Sequence, residues 1–235
     1  FDDLIVDGGA AVINADDPHG PDMIAAAQAR HLRVRTYGER GVDIKLLSTR
    51  PEAKGQHLGL LVDGVEHSLF LPLAGHFQAM NALCALGLAE VTGTEAAAAL
   101  KALESLTGAP GRMEWIGETP EGAVVYVDYA HTLDALENVL SALRPHTAGA
   151  LVAVIGCGGN RDKGKRPEMG RIATDLADRV IVNPRTEDPA VIRAEIMAAA
   201  PGASEIGDRA EAIETAVAGL AAGDVLVIAG KGHER

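Results

Sequence analysis

Aromatic residues are scarce in this chain of 235 residues, which has one Trp, three Tyr and three Phe. Packing must therefore come from Ala, Val, Leu and Ile, within a hydrophobic fraction of 47% that fits a globular protein. Cysteine is scarcer still. Cys84 and Cys157 allow at most one disulfide, which excludes a disulfide-stapled scaffold and reads as a pair of reduced cytoplasmic thiols. No His lies near Cys157 to activate it, so it is read as packing, not as a nucleophile. Basic charge is in deficit, with 21 Lys and Arg against 33 Asp and Glu and a formal net charge of −12. That balance argues against nucleic acid as a main partner. No apolar run reaches the roughly 18 residues of a membrane helix, and no basic-then-apolar leader opens the chain. A cytoplasmic chain without membrane association is expected. It opens at Phe1, almost inside a strand pattern, and stops inside the polar run Gly230–Arg235, so it is expected to be a fragment of a longer protein.

What the chain does have is a repeated passage from an apolar β-type stretch into a polar loop. Ala123–Val127 leads into Asp128-Tyr129-Ala130-His131, and Leu151–Ile155 into a Gly-rich basic loop from Gly156 to Arg166. Val180–Val182 leads into Asn183-Pro184-Arg185, and Val225–Ala229 into Gly230-Lys231-Gly232-His233-Glu234. Helical patterns separate these strands, including Leu133, Leu136, Leu140 and Leu143, a helix begun by Pro167, another begun by Pro189, and one from an Asp208/Glu211 capping box to about Ala222. Alternation of this kind predicts a doubly wound parallel sheet with all four loops at one edge, where ligands bind in open α/β sheets.

The earlier half reads differently. Strands are expected at Ala10–Asn14, Arg33–Tyr37, Ile44–Ser48, Leu58–Val62 and Val65–Leu71, with Asp63-Gly64 as a hairpin turn. Helices are expected from Pro21 to Arg30, from about Gly75 to Val91, and over Glu95–Leu106. The small-residue break Thr107–Gly111 marks a boundary between domains 1–110 and 111–235.

The loops suggest anion and amino-acid chemistry. The Gly-rich loop fails as a dinucleotide fingerprint because Arg161 occupies the third glycine position. It also fails as a P-loop, because Arg166 stands where a Mg²⁺-binding hydroxyl belongs. Arg161, Lys163, Lys165 and Arg166 instead suit an anion site, or else a solvated turn. Asn183-Pro184 would hold Arg185 at a strand end, where its planar fork suits a carboxylate; alone it could equally be solvated. Asp128 with His131 reads as an acid–base pair or as a ribose-bonding Asp with His131 packed on a nucleotide. Asn81, on a helix of small apolar residues, reads as a buried polar position with a local partner.

Taken together, these segments resemble the Mur ligase family of peptidoglycan synthesis across essentially the whole chain. The resemblance runs through Asn14-Ala15-Asp16-Asp17, Gly75-His76-Phe77-Gln78-Ala79-Met80-Asn81 and Gly111-Arg112-Met113-Glu114, then through the four loops above. It implies that residues 1–110 are the later part of a mixed α/β, P-loop-type ATPase domain. Residues 111–235 would be a C-terminal Rossmann-like domain, cut short, that binds the incoming amino acid. It implies nucleotide contacts by Asn81 (adenine), Arg112 (phosphate), Asp128 (ribose) and His131. It also implies amino-acid contacts by Arg161, Asn183, Pro184, Arg185, Gly230 and Glu234. The expected activity is ATP-dependent amide formation joining meso-diaminopimelate to a UDP-muramoyl dipeptide, with ATP and Mg²⁺ as cofactors. The main metal ligands, the P-loop, a carbamylated lysine and a UDP-binding domain would lie before Phe1. No catalytic residue and no metal ligand is assigned within this chain, and a monomer is expected. Alternatives are a catalytically incomplete binding module for an amino acid or nucleotide, or a sister ligase that adds lysine or glutamate. An Arg after Asn-Pro favours diaminopimelate over lysine, which lacks the second carboxylate. Two departures stand out: Val182 meets Asn183 about three residues early, and Leu133 replaces a usual Pro. Arg161, Arg185 and Glu234 are expected to converge on one pocket.

Overall fold

The chain divides into two compact units, Phe1–Pro51 with Gly55–Thr107, and Glu52–Lys54 with Gly108–Arg235. The computed structural model describes residues 5–156, 164–183 and 189–230. In the first unit the elements are β1 (Ala10–Asn14), α1 (Gly20–Ala29), β2 (Arg33–Gly38), β3 (Ile44–Glu52), β4 (Gly55–Val62), β5 (Val65–Leu71), α2 (His76–Val91) and α3 (Ala96–Leu103). They form a sheet in the order β1-β2-β3-β4-β5, parallel at β1–β2 and β2–β3 and antiparallel at β4–β5. Asp63 and Gly64 both take left-handed φ values, 49° and 81°, as a tight two-residue hairpin turn requires. Helix α2 lies on β1 and β2. It comes so close that a Cβ on Gly87 would sit 2.8 Å from Val12 Cγ1, so glycine is required there. Leu58, Leu60, Leu71, Leu83 and Leu86 are buried in the core between helices and sheet. Arg35 pairs with Asp63 at 2.6 Å and also with Glu90, tying the hairpin turn to the end of α2.

Two elements of this unit differ from expectation. Strand β3 runs on to Glu52 because it has a hydrogen-bonded neighbour in β4 along its length. Helix α3 stops at Leu103, and Asn81 is exposed on α2, where its amide donates to Gln78 Oε1 at 3.3 Å. The expected burial of Asn81 was wrong, because that position of α2 faces away from the core.

The second unit holds β6 (Glu114–Glu118), β7 (Val124–Asp128), α4 (Leu133–Leu143), β8 (Leu151–Ile155), α5 (Lys165–Leu176), β9 (Arg179–Val182), α6 (Pro189–Met197), β10 (Ser204–Glu205), α7 (Arg209–Ala218) and β11 (Val225–Ala229). Its sheet runs β10-β9-β8-β11-β7-β6 and is parallel except for β6, which pairs antiparallel with β7. The α/β, doubly wound expectation holds. From β7 the chain steps past an open slot to β8 and on to β9 and β10. Helix α7 then carries it back, and β11 fills the slot. Helices α4, α5 and α6 touch one another along the outward path, whereas α7 packs on β8 and β11. Ala212, Ala216 and Leu220 of the α7 region bury against Val125, Val152, Val154, Ile181 and Leu226. A reversal of direction with right-handed crossovers puts the returning helix on the opposite face.

Local signals account for most boundaries. Thr132 caps α4 by accepting from the Ala135 N–H at 3.3 Å, so Leu133 starts the helix without a proline. Asp208 caps α7 through the Glu211 N–H at 2.9 Å. That helix ends at Ala218, four residues early, because Gly219 is a poor helix former and takes the C-cap. Helix α5 begins at Lys165, which puts Pro167 in the first turn, where its missing N–H has no partner to lose. The edge strands β6 and β10 lack the apolar runs of the inner strands and were not expected.

At the amino ends of the parallel strands two carboxylates join neighbouring segments. Asp224 accepts from the Ala150 N–H at 2.7 Å and from Arg179 at 2.8 Å. Asp178 accepts from the Leu151 N–H at 2.7 Å and from Arg144 at 2.6 Å. The backbone bond from Leu151, then the Arg144 guanidinium, holds the Asp178 carboxyl below its usual range. A depressed carboxyl adds stability that is present above its unfolded value and lost as pH falls through the folded one. Asp178→Asn should therefore lower the urea midpoint at neutral pH, and its gap to the unsubstituted chain should narrow below about pH 4. A gap that does not change with pH would show that the charge contributes nothing.

Candidate functional site

The carboxyl ends of β7, β8, β9 and β11 lie side by side at the opposite edge, and backbone bonds join them in pairs. The Asn183 N–H, just beyond β9, donates to Ile155 O of β8 at 2.7 Å. The Gly230 N–H, just beyond β11, donates to Asp128 O of β7 at 3.1 Å. Gly230 has φ +86°, and a Cβ there would lie 3.0 Å from Gly156 O. Three strand ends thus close on a residue where any side chain would be strained.

Asp128 turns inward from this edge. It is 6% exposed, and its carboxylate accepts from the Met113 N–H and the Ala130 N–H, both at 2.7 Å. Burial raises its pKa, while those two bonds and the Arg112 charge pull it down. Each carboxylate oxygen has a second lone pair, so acceptance from a ribose hydroxyl remains chemically open. The visible work of Asp128 is structural. It holds Met113, a buried residue at the left-handed φ of +48°, and so shapes the loop that carries Arg112. That loop is tied again where the Tyr129 N–H donates to Gly111 O at 2.8 Å and the Gly111 N–H donates to Glu114 at 2.7 Å.

Arg112 and His131 are both exposed and flank Tyr129. The Arg112 guanidinium lies 5.4 Å from the centre of the Tyr129 ring, and the His131 ring meets it edge-on at 4.9 Å. His131 Nδ1 is 3.0 Å from Tyr129 O. A carbonyl can only accept, so Nδ1 carries the proton, and in the neutral ring Nε2 keeps its lone pair outward. Lys165 Nζ donates to His131 O at 3.2 Å, bringing the start of α5 to the same loop.

Asn183 is fully buried. Its amide donates to Ile206 O at 2.7 Å and Gly207 O at 3.0 Å, clamping the end of β9 to the chain beyond β10. Its Oδ1 has no hydrogen-bond partner among the described residues. The four-cation anion cluster needs correction. Arg166 is 1% exposed and pairs with Glu195 of α6, so it holds two helices together and cannot serve a ligand. Arg161, Pro184, Arg185 and Glu234 lie outside the described residues, as does the pocket expected to unite them. Asn81 belongs to the first unit. Tyr129 and Met113 were missed because neither carries a charge or a metal-binding group; their signals were the Asp128-Tyr129-Ala130-His131 loop for the first and the Gly111-Arg112-Met113-Glu114 segment for the second. Among the described residues no group of three or more His, Cys, Asp or Glu could hold a metal ion, and no helix is long and apolar enough to cross a membrane.

Comparison with known proteins places this edge in a family. Residues 111–232 match the model of the Mur ligase glutamate ligase domain, and residues 1–89 match the Mur ligase middle domain. The UDP-N-acetylmuramoyl-L-alanyl-D-glutamate–2,6-diaminopimelate ligase of Caulobacter vibrioides is 56% identical over 238 residues, which span 100% of this chain and 49% of that protein. The ligase of the same name from Agrobacterium fabrum is 56% identical over 237 residues, 100% of this chain and 48% of that one. A solved structure of a ligase so named superposes with a TM-score of 0.75 at 40% identity, covering 96% of this chain and 48% of that one. The folylpolyglutamate synthase of Mycobacterium tuberculosis complexed with ADP shares the fold, with a TM-score of 0.68 at 21% identity over 94% of this chain and 52% of that one. The chain spans about half the length of the curated relatives it matches. It belongs to the Mur ligase family.

Proposed function

We propose that the protein carrying this chain joins meso-diaminopimelate to UDP-N-acetylmuramoyl-L-alanyl-D-glutamate at the expense of ATP, extending the peptide of a peptidoglycan precursor. The observation that carries this is the joined edge at Asp128, Gly156, Asn183 and Gly230, from which the loops bearing the proposed ligand contacts depart. The names of the relatives support the choice of substrates. Residues 1–110 would supply the later part of the ATP-binding domain, and residues 111–235 the amino-acid-binding domain. ATP, bound with Mg²⁺ by groups mainly outside this chain, would activate the D-glutamate carboxylate as an acyl phosphate for attack by the amine.

The roles of this chain's own residues follow from their chemistry. Arg112, exposed and cationic, would face phosphate; Asp128 would offer an acceptor to the ribose, with His131 packed beside the nucleotide; Asn81 would offer an amide to the base. Arg161 and Arg185 would bind carboxylates, Glu234 an ammonium, and Asn183, Pro184 and Gly230 would shape that pocket. Catalysis would rest on positioning and charge stabilisation. ATP and a nucleotide-linked precursor support a cytoplasmic enzyme serving wall growth, cell shape and division; a monomer is proposed.

Supplied with ATP, Mg²⁺ and the UDP-muramoyl dipeptide, the full-length protein should consume meso-diaminopimelate and release ADP and phosphate in equal amounts. Turnover with L-lysine and none with diaminopimelate would sink this assignment. Arg185→Ala should cost the amino acid about 1.5–3 kcal/mol of binding, roughly 10- to 150-fold in apparent KM, with little change for ATP. An unchanged KM for the amino acid would leave Arg185 a solvated turn residue.

A further inference from the structure

We infer that Tyr129 is a positioning residue that sets two ligand-facing groups, Arg112 and His131, through the two aspects of one ring. This rests on the nucleotide roles proposed above for those two residues. Arg112 is exposed on a loop, and an exposed arginine samples many rotamers, so ordering it on an anion costs conformational entropy. A ring beneath the guanidinium removes part of that cost in advance. Tyr129 provides one, with the Arg112 Cζ 5.4 Å from its centroid, within the range where the ring quadrupole attracts a cation. The same ring meets His131 at 4.9 Å with planes inclined at 64°, the edge-to-face arrangement that aromatic pairs favour.

Tyr129 is itself well fixed. Its N–H donates to Gly111 O at 2.8 Å, so it is attached to the loop whose next residue is Arg112. Its carbonyl lies 3.0 Å from His131 Nδ1, which turns the imidazole Nε2 outward. Asp128, one residue before, holds Met113 on the far side of Arg112 at 2.7 Å. Arg112 is therefore gripped through both its chain neighbours and supported through its side chain. The contacts to Arg112 and His131 are made by the aromatic ring and the main chain of Tyr129.

The test uses the full-length protein with Tyr129→Phe, which keeps the ring, and Tyr129→Leu, which removes it. NMR of histidine-labelled protein reads the His131 ring protons, which the ring current of a neighbouring aromatic displaces from their free-imidazole positions. That shift should persist in Tyr129→Phe and vanish in Tyr129→Leu. Steady-state kinetics should show KM for ATP raised about 3- to 10-fold in Tyr129→Leu, the range expected for losing one or two weak ring contacts. Tyr129→Phe should stay within about twofold, and KM for meso-diaminopimelate should stay within about twofold in both. Three results would overturn the inference: an unshifted His131 signal in the unsubstituted protein, an equal loss in Tyr129→Phe, or equal rises in KM for both substrates. Absence of any ATP-dependent ligation in the unsubstituted protein, with the His131 shift intact, would instead sink the proposed function and with it the consequence for ATP.

Discussion

A parallel strand has to be entered from the same end as its neighbour, so every connection must cross the full length of the sheet. In the second unit that requirement puts helices between β7, β8, β9, β10 and β11 and brings all their carboxyl ends to one edge. Because the chain first skips a slot and later returns to fill it, β11 ends between β7 and β8. Gly230 is thereby pressed against Gly156 O and bonded to Asp128 O. The described part of the candidate site follows from that single insertion. A substituent on Gly230, or a β11 displaced from the slot, would separate loops that are far apart in sequence.

The two edges of this sheet use their carboxylates differently. At the amino edge Asp178 and Asp224 combine backbone N–H groups with arginines, which suits structural joints. At the carboxyl edge Asp128 is buried and, among the described residues, accepts from backbone N–H groups, and burial is the largest influence on its pKa. Of the described cations there, Arg112 rests on a ring face and Lys165 donates to a carbonyl, which leaves their charge available. A guanidinium neutralised by a carboxylate has less to offer an anion than one resting on an aromatic face.

Arg166 shows what counting charges in a sequence cannot resolve. Beside Arg161, Lys163 and Lys165 it looked like one of four cations on a loop, yet it lies on α5 and is buried against Glu195. Consecutive residues at a helix start point in different directions, about 100° apart, so one can serve the loop and the next the core. Asn183 is similar. Its place at a strand end was legible, but not that its amide would be spent on Ile206 O and Gly207 O. Those carbonyls come from the segment after β10, a strand too short and polar to leave a periodic signal.

The inner strands, most helix starts and the Asp63-Gly64 turn were written in local chemistry: apolar runs, capping side chains, glycine and proline. Such signals depend on neighbours within a few residues, so the sequence alone determined them. It also determined family membership, because ordered motifs over the whole chain survive without any knowledge of contacts. The antiparallel edge strand β6, the inward turn of Asp128, the left-handed Met113 and the ring of Tyr129 between Arg112 and His131 were decided by tertiary structure. Each depends on a partner brought close only when the sheet forms, and no local preference encodes that partner.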